Sequence, residues 1–422
     1  MTTVLRQQDQ IRPVAARIAS DEEALETARR LAVQFATTAA GRDAERRLPF
    51  AELDELAQSG LLAIAVPAQY GGLDVSNAVL AEVTAILAAA DGSIGQIPQN
   101  HFYILEALRT DGSEEQKRYF FGRALAGDRF GNALSERGTK TVGHYNTRIV
   151  KDAPGYRING TKYYSTGVLF ADWVTIFALD EEDRLVMAFV PKGTEGVEII
   201  DDWDGFGQSL TASGTARFRD VEVADDLIKP SAVRFSYSGG FFQLVHLASL
   251  AGIGRAAAND LARHVAARKR VYNRGNASRS AQDPQVQQVV GKVRGAAYSA
   301  GAIVLQAARA LQRAYEANQG GGQEQIALAG RNAELEVSQS VTVVTSLILD
   351  ASTVLFDALG ASAAKRGHGL DRHWRNARTI ASHNPRIYHD RIVGDFAVNG
   401  TIPGPQAGVG VAREEEAERT DA

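Results

Sequence analysis

The chain has 422 residues, 45% of them hydrophobic and 23% charged, with a formal net charge of -4. That length allows two or three domains and a large core, and the acidic balance excludes non-specific nucleic-acid binding, which needs a basic face. Cysteine is absent, which removes disulfides, thiolate nucleophiles and cysteine metal sites while leaving the redox compartment open. The polar start lacks the apolar stretch of a signal peptide. No run of 18 apolar residues marks a membrane span, so a cytoplasmic protein is expected. The charged end, Arg413 to Ala422, reads as a frayed tail.

Residues 1–126 read as an N-terminal helical domain. Ser20-Asp-Glu-Glu carries helix-start signals, and Leu25, Ala28, Leu31, Ala32 and Phe35 follow at helical spacing. Pro49 opens a second helix that Gly60 ends, Val79 to Ala90 forms a third, and Ser113-Glu-Glu-Gln is a capping box for another.

The pattern changes at Gly127, and residues 127–232 read as a middle β-domain, a small barrel or sandwich. Asn159-Gly160 is the signature of a two-residue hairpin turn. Trp173 to Leu179, Arg184 to Pro191 and Thr215 to Val223 read as strands. Helical signals return in 233–422 as four long Ala-rich stretches, 241–270, 284–317, 323–359 and 371–398, the pattern of a four-helix bundle. No internal repeat and no metal-ligand cluster is evident. The fold class expected is therefore α+β, mainly α.

Five segments in this order carry a resemblance: Ile94 to Phe102, Phe130 to Glu136, Asn159 to Gly167, Asp201 to Gly207 with Ala212 to Thr215, and Leu370 to Thr379. Together they resemble the acyl-CoA dehydrogenase superfamily, and within it the sulfur-acquisition oxidoreductase branch related to dibenzothiophene monooxygenase. The resemblance covers roughly residues 20–405. It implies that fold, a homotetramer packed through the C-terminal bundle, and a flavin.

The resemblance also implies roles. Gly131 to Ser135 matches the stretch lining the flavin ring, with small residues for close backbone approach, and Asn132 falls in the reacting pocket. Ser165 falls against the flavin's central ring nitrogen. Ala133, Ser135, Thr166, Trp203, Ser213 and Asn384 match cofactor contacts. Arg270 matches an arginine gripping cofactor phosphate from the neighbouring subunit; a guanidinium fork held on the first bundle helix suits that task. Gln96, Asn100 and His101 line the substrate side. Each has a plain alternative: a satisfied turn for Asn132 and Ser135, a strand-end hydroxyl for Ser165, a core ring for Trp203, a solvated face for Arg270. Loops around 94–103, 136–147 and 235–245 are expected to shape the pocket.

Acyl-CoA dehydrogenases place a glutamate in a late turn, to remove a proton beside the thioester carbonyl. That turn corresponds here to Thr379-Ile-Ala-Ser-His383-Asn-Pro385, which holds no carboxylate. Dehydrogenation then has no evident first step. His383 matches the pocket histidine of the monooxygenase branch, where an imidazole can stabilise a flavin 4a-hydroperoxide. Departures remain: relatives carry a histidine at Ile380, an aspartate at Asn384 and an arginine near Ser362.

The implied function is a two-component flavin monooxygenase that oxygenates a small organosulfur compound for sulfur acquisition. Reduced FMN would come from a separate NAD(P)H flavin reductase, since no nicotinamide fingerprint appears. Alternatives are an FAD-dependent dehydrogenase with an unidentified base, a nitrogen- or carbon-hydroxylating monooxygenase on the same fold, and a non-enzymatic flavin-binding or assembly protein.

Overall fold

The computed structural model describes residues 14–139, 145–229, 235–401 and 403; the expected frayed tail, 413–422, lies outside them. Seven helices come first: α1 (Asp21–Ala36), α2 (Ala39–Glu45), α3 (Phe50–Gln58), α4 (Asn77–Ala90), α5 (Gly92–Gln96), α6 (Gln99–Asp111) and α7 (Glu114–Leu125). Their starts follow local chemistry. The Ser20 hydroxyl accepts from the Glu23 N–H, and Ser113 with Gln116 closes a reciprocal capping box on α7. Gly60, at φ 83°, takes the left-handed conformation that ends the turn after α3.

Eight strands follow: β1 (Phe130–Ala133), β2 (Arg148–Asp152), β3 (Gly155–Lys162), β4 (Trp173–Leu179), β5 (Leu185–Pro191), β6 (Val197–Ile200), β7 (Thr215–Val223) and β8 (Ile228–Lys229). They make one mixed sheet in the order β6-β7-β3-β2-β4-β5-β8, with β1 branching off as a parallel partner of β4. Asn159-Gly160 is not the hairpin turn. It lies inside β3, where Asn159 pairs with Arg148 on β2 and the register against β7 shifts. The irregularity sits on β7: Asp220 takes φ 53°, and its N–H is held by the Asn159 carboxamide oxygen at 2.8 Å. Gly160 is needed there because a Cβ would stand 2.3 Å from Thr147 Oγ1.

The last part holds α8 (Ser238–Ala267), α9 (Pro284–Gly320), α10 (Gln323–Val354), α11 (Asp371–Ile380) and α12 (Ile387–Asn399). The stretch read as a fourth helix, 371–398, is two. The Ser382 and His383 N–H groups close tight turns on Thr379 and Ile380 carbonyls, and Pro385 has no N–H to continue the ladder. The break creates the turn that carries His383. The first bundle helix also ends earlier than expected, so Arg270 lies in the loop beyond Ala267.

One apolar cluster joins all three parts, from Leu31 and Phe35 through Phe120, Trp173 and Phe189 to Leu244 and Val337. The Phe120 ring on α7 stacks on Phe189 of β5 at 4.0 Å and meets Trp173 edge-on, which fixes the helices against the sheet. α8 is apolar enough to cross a membrane by length and composition. Its apolar window is 89% buried inside the protein, so it is the central core helix.

Candidate active site

Three neighbouring stretches of the middle part meet one end of the bundle. The Ser135 carbonyl accepts from the Tyr163 N–H at 2.8 Å, the Gly214 carbonyl from the Ser165 N–H at 3.1 Å, and the Thr211 carbonyl from the Gly167 N–H at 3.2 Å. This ladder brings together Asn132, Ala133, Ser135, Ser165, Thr166 and Ser213. From the helical side, the Asn100 amide donates to the Thr166 carbonyl at 3.1 Å, which clamps α6 to the same stretch.

The hydroxyls here have a determined order. Thr211 Oγ1 donates to the Gln208 carbonyl at 2.8 Å, so its single proton is used. Ser213 Oγ, 2.7 Å away, must then donate to Thr211, and Thr166 Oγ1, 2.7 Å from Ser213, donates to Ser213. Thr166 and Ser213 therefore offer only lone pairs to a ligand. Ser165 differs: its Oγ is buried and has no partner, so it is the free hydroxyl donor of this group.

α5 and the start of α6 are not a loop, and they cross beside α8. A Cβ on Gly92 would stand 3.1 Å from Ile253 Cδ1, and the Gln99 amide donates to the Phe242 carbonyl at 3.0 Å. Gln96 lies between these two contacts at the end of α5, and its Oε1 is buried without a partner. Buried Asp91 fixes the start of α5. Its Oδ1 accepts the Ser93 N–H, and its Oδ2 is gripped by the buried guanidinium of Arg42 at 2.8 and 3.0 Å.

His383 comes from the turn after α11, with its ring centroid 4.2 Å from that of His246 and the planes tilted 52°. His383 is exposed as a residue, and its ring lies against His246. Burial pulls its pKa below the ordinary value, with partial relief from Asn384. Burial, and then the neighbouring His383, holds His246 well below its ordinary pKa. Both rings are neutral at pH 7. α11 is fastened to the middle part by Asn376, whose Oδ1 accepts the Gln208 N–H at 2.7 Å, and by Arg375, which donates to the Phe206 carbonyl at 3.0 Å.

The structure separates other expected site residues from this group. His101 is in the core: its Nδ1 accepts the Phe130 N–H at 3.2 Å, so Nε2–H donates to the Leu62 carbonyl at 2.7 Å. Burial first, against the Leu62 bond, pushes its pKa down to about 4. With both ring nitrogens used, it holds α6 against β1 and has nothing left for a substrate. Gly131 does not open a path to a ring either, because its missing Cβ is replaced by Val168 and Ala171, at 2.8 and 3.1 Å. Trp203 spends its indole N–H on the Gln208 carbonyl at 3.0 Å and leans on Tyr164. Asn384 is exposed beside His383.

Arg270 is exposed past the end of α8, about 30 Å from the His246 level at 1.5 Å rise per residue. It shares its corner with Ser362: Arg268 donates to the Ala358 and Leu359 carbonyls, in the turn just before that serine. Within one subunit, this corner is remote from the histidines.

Among the described residues, six buried polar atoms on β1, the turn after β3, α5 and α8 have no hydrogen-bond partner: Asn132 Oδ1, Ser165 Oγ, Gln96 Oε1, Ser93 Oγ, His246 Nε2 and Ser249 Oγ. At about 1–3 kcal/mol each, leaving them unmet would cost on the order of 10 kcal/mol. Of these, Asn132 Oδ1 and Ser165 Oγ fit a ligand with donors and acceptors along its edge, which a flavin ring supplies. His246 and Ser249 escaped sequence reasoning. They sit in an apolar helix with no motif, and only their missing partners identify them.

Family models describing the acyl-CoA dehydrogenase N-terminal, middle and C-terminal domains match residues 19–128, 132–221 and 244–385. The chain is 29% identical to a dibenzothiophene monooxygenase of Mycolicibacterium goodii, covering 90% of this chain and 95% of that one. It is 31% identical to a probable FMNH2-dependent monooxygenase, SfnC, of Pseudomonas putida, covering 90% and 96%. Among solved structures it is similar to FMN-bound TdsC from Paenibacillus sp. A11-2, with a TM-score of 0.83 and 30% identity, covering 91% and 99%.

Proposed function

We propose that this chain, which belongs to the acyl-CoA dehydrogenase family, is the oxygenase of a two-component system that transfers one oxygen atom to a small organosulfur compound. It is a flavin-dependent oxidoreductase, and its cofactor is FMN. The single observation that carries the monooxygenase reading is the turn at 379–385. Where a dehydrogenase needs a carboxylate base, this turn presents His383, paired with His246, and among the described residues no charged side chain acts on either ring.

Asn132, Ala133, Ser135, Ser165, Thr166 and Ser213 would hold FMN, with Trp203 and Asn384 at its margin. When bound and reduced by a separate NAD(P)H reductase, the flavin supplies the electrons that activate oxygen. The chain's residues do the rest. Ser165 donates its free O–H to the cofactor. His383, neutral at pH 7, donates through its ring N–H where negative charge develops on oxygen. Arg270 and Ser362 serve a phosphate only if a neighbouring subunit brings its own cofactor to that corner.

The subunit is proposed to form a homotetramer through the bundle, in the cytoplasm. The apolar window of α10 and its continuation is only 44% buried within one chain, and Ile387, Tyr388 and Val398 on α12 are exposed.

The test is stopped-flow absorbance after mixing protein and FMNH2 with oxygenated buffer. A long-lived oxygenated-flavin band supports the reading. Immediate return of oxidised FMN, with and without candidate sulfur substrates, together with reduction of bound flavin by an acyl-CoA, would refute it.

A further inference from the structure

The oxygen-activating residues do not account for His246. It sits one helical turn from Ser249 on α8, the helix against which α5 packs at Gly92, with its ring against His383. Its Nε2, Ser249 Oγ and Gln96 Oε1 are all buried and unpartnered. The two imidazoles do not bond to each other in line. An N–H···N pair of about 2.9 Å would hold the centroids roughly 5 Å apart, whereas these rings stand at 4.2 Å and 52°. Both therefore keep a nitrogen for something else.

Charge narrows what that is. The elements packed on the pair contribute Gln96 from α5, Ser249 from α8 and Asn384 from the turn. Among the described residues, no Asp, Glu, Lys or Arg acts on either ring. A cation would find no counter-charge here, and a dianion would find too little. A flat apolar aromatic would strand Nε2, Oγ and Oε1, at about 1–3 kcal/mol each. A monoanion that brings one proton onto the histidines forms a neutral, fully bonded complex. The Gln96 amide, whose oxygen and nitrogen are set by the bonds it makes, can turn its N–H groups to the same ligand.

We propose that His246 and His383 form a two-imidazole seat for the polar end of a small monoanionic oxyacid, such as an alkanesulfinate. Ser249 and Gln96 complete the hydrogen bonding. This deepens the monooxygenase reading and rests on it for the reaction, but the seat is tested without flavin. His246 acts here as a substrate-positioning residue.

The experiment is calorimetric titration of the full-length, flavin-free protein with methanesulfinate at pH 7.5, in two buffers of different ionisation heat. The expected result is binding with uptake of about one proton per anion, the stoichiometry of one imidazole becoming charged. His246→Gln, which keeps a polar group but cannot charge, should lose the uptake and bind about 10-fold more weakly or worse. If His246→Gln does not fold, histidine NMR of the wild-type protein replaces it: two ring spectra should shift towards the imidazolium position when methanesulfinate is added. Binding without proton uptake, no binding, or binding of indole in its place would each overturn the seat. A persistent oxygenated flavin without proton-linked binding sinks the seat alone. Proton-linked binding, with immediate flavin reoxidation in the presence and absence of methanesulfinate and reduction of bound flavin by an acyl-CoA, sinks the monooxygenase reading alone.

Discussion

Glu136→Gln should destabilise the protein by about 3–5 kcal/mol and give it a new dependence on pH. The carboxylate directly follows the stretch proposed to hold FMN, which ends at Ser135. It accepts from Lys162 Nζ at 2.7 Å, Thr147 Oγ1 at 2.7 Å, the Thr147 N–H at 3.0 Å and the Asn146 N–H at 2.8 Å. Lys162 has no exposed side-chain surface and its ammonium lies 4.6 Å over the Tyr145 ring. Burial pulls the lysine from 10.5 to about 8, against the hydrogen bond and attraction of Glu136. Removing Glu136 deletes both opposing effects, so the folded pKa falls further. The unfolded chain then binds more protons than the folded one over a window that begins below pH 8 and runs to 10.5. Stability rises with pH across such a window, by at most roughly 1.4 kcal/mol per unit. In the wild type, the Lys162 contribution is flat below about 8 and rises only above it. Urea unfolding at pH 6.5, 7.0, 7.5 and 8.0 on both proteins reads the difference, and other titrating groups cancel in the comparison. Glu136→Gln/Lys162→Met should recover much of the loss and remove the pH slope. A single-variant cost under about 1 kcal/mol, or a difference that stays constant across the range, would refute the argument that this pair is held as buried charges.

Three further changes separate holding the fold from serving the cofactor. Ser165→Ala should leave thermal stability nearly unchanged, because the hydroxyl makes no hydrogen bond within the protein, while weakening FMN binding by about 5–30-fold in a fluorescence titration. His383→Phe should leave FMN binding nearly intact and raise the hydrogen peroxide released per NAD(P)H oxidised; equal coupling in variant and wild type would remove His383 from the chemistry. His101→Phe should lower stability by about 2–3 kcal/mol through the orphaned Phe130 N–H and Leu62 carbonyl, with unchanged turnover per folded molecule.

The fold was legible because its signals are local and repeated. Ser20, Gly60 and Ser113 each act within four residues, and the alternation in β4, β5 and β7 reports burial on a sheet face. The failures are tertiary. Asn159-Gly160 has the chemistry of a tight turn, but its short side chains were selected for contact with Thr147 and for holding Asp220 across a bulge. The break before His383 was hidden because helical periodicity continues on both sides of it. His101 reads as a ligand by type and neighbourhood, and only its two backbone partners, Leu62 and Phe130, show that it is fully used.

The same contrast decides which parts of the site a sequence can yield. Asn132, Ser165 and Ser213 are recoverable because they lie in short segments whose order and spacing resemble relatives. His246 and Ser249 are not, because a helix that is buried on nearly every side has no polar face against which a polar residue stands out. What distinguishes them is a quantity no sequence carries: a polar atom that folding has stripped of water and given no partner. Folding alone gains nothing from such atoms, so the free energy they cost must be offset when the cleft is filled. By that reasoning, the proposed cofactor side follows the family's pattern, whereas the proposed substrate side is written in the unpaired groups of α5 and α8. Specificity in this chain should therefore change with Gln96, His246 and Ser249 before it changes with Asn132 or Ser165.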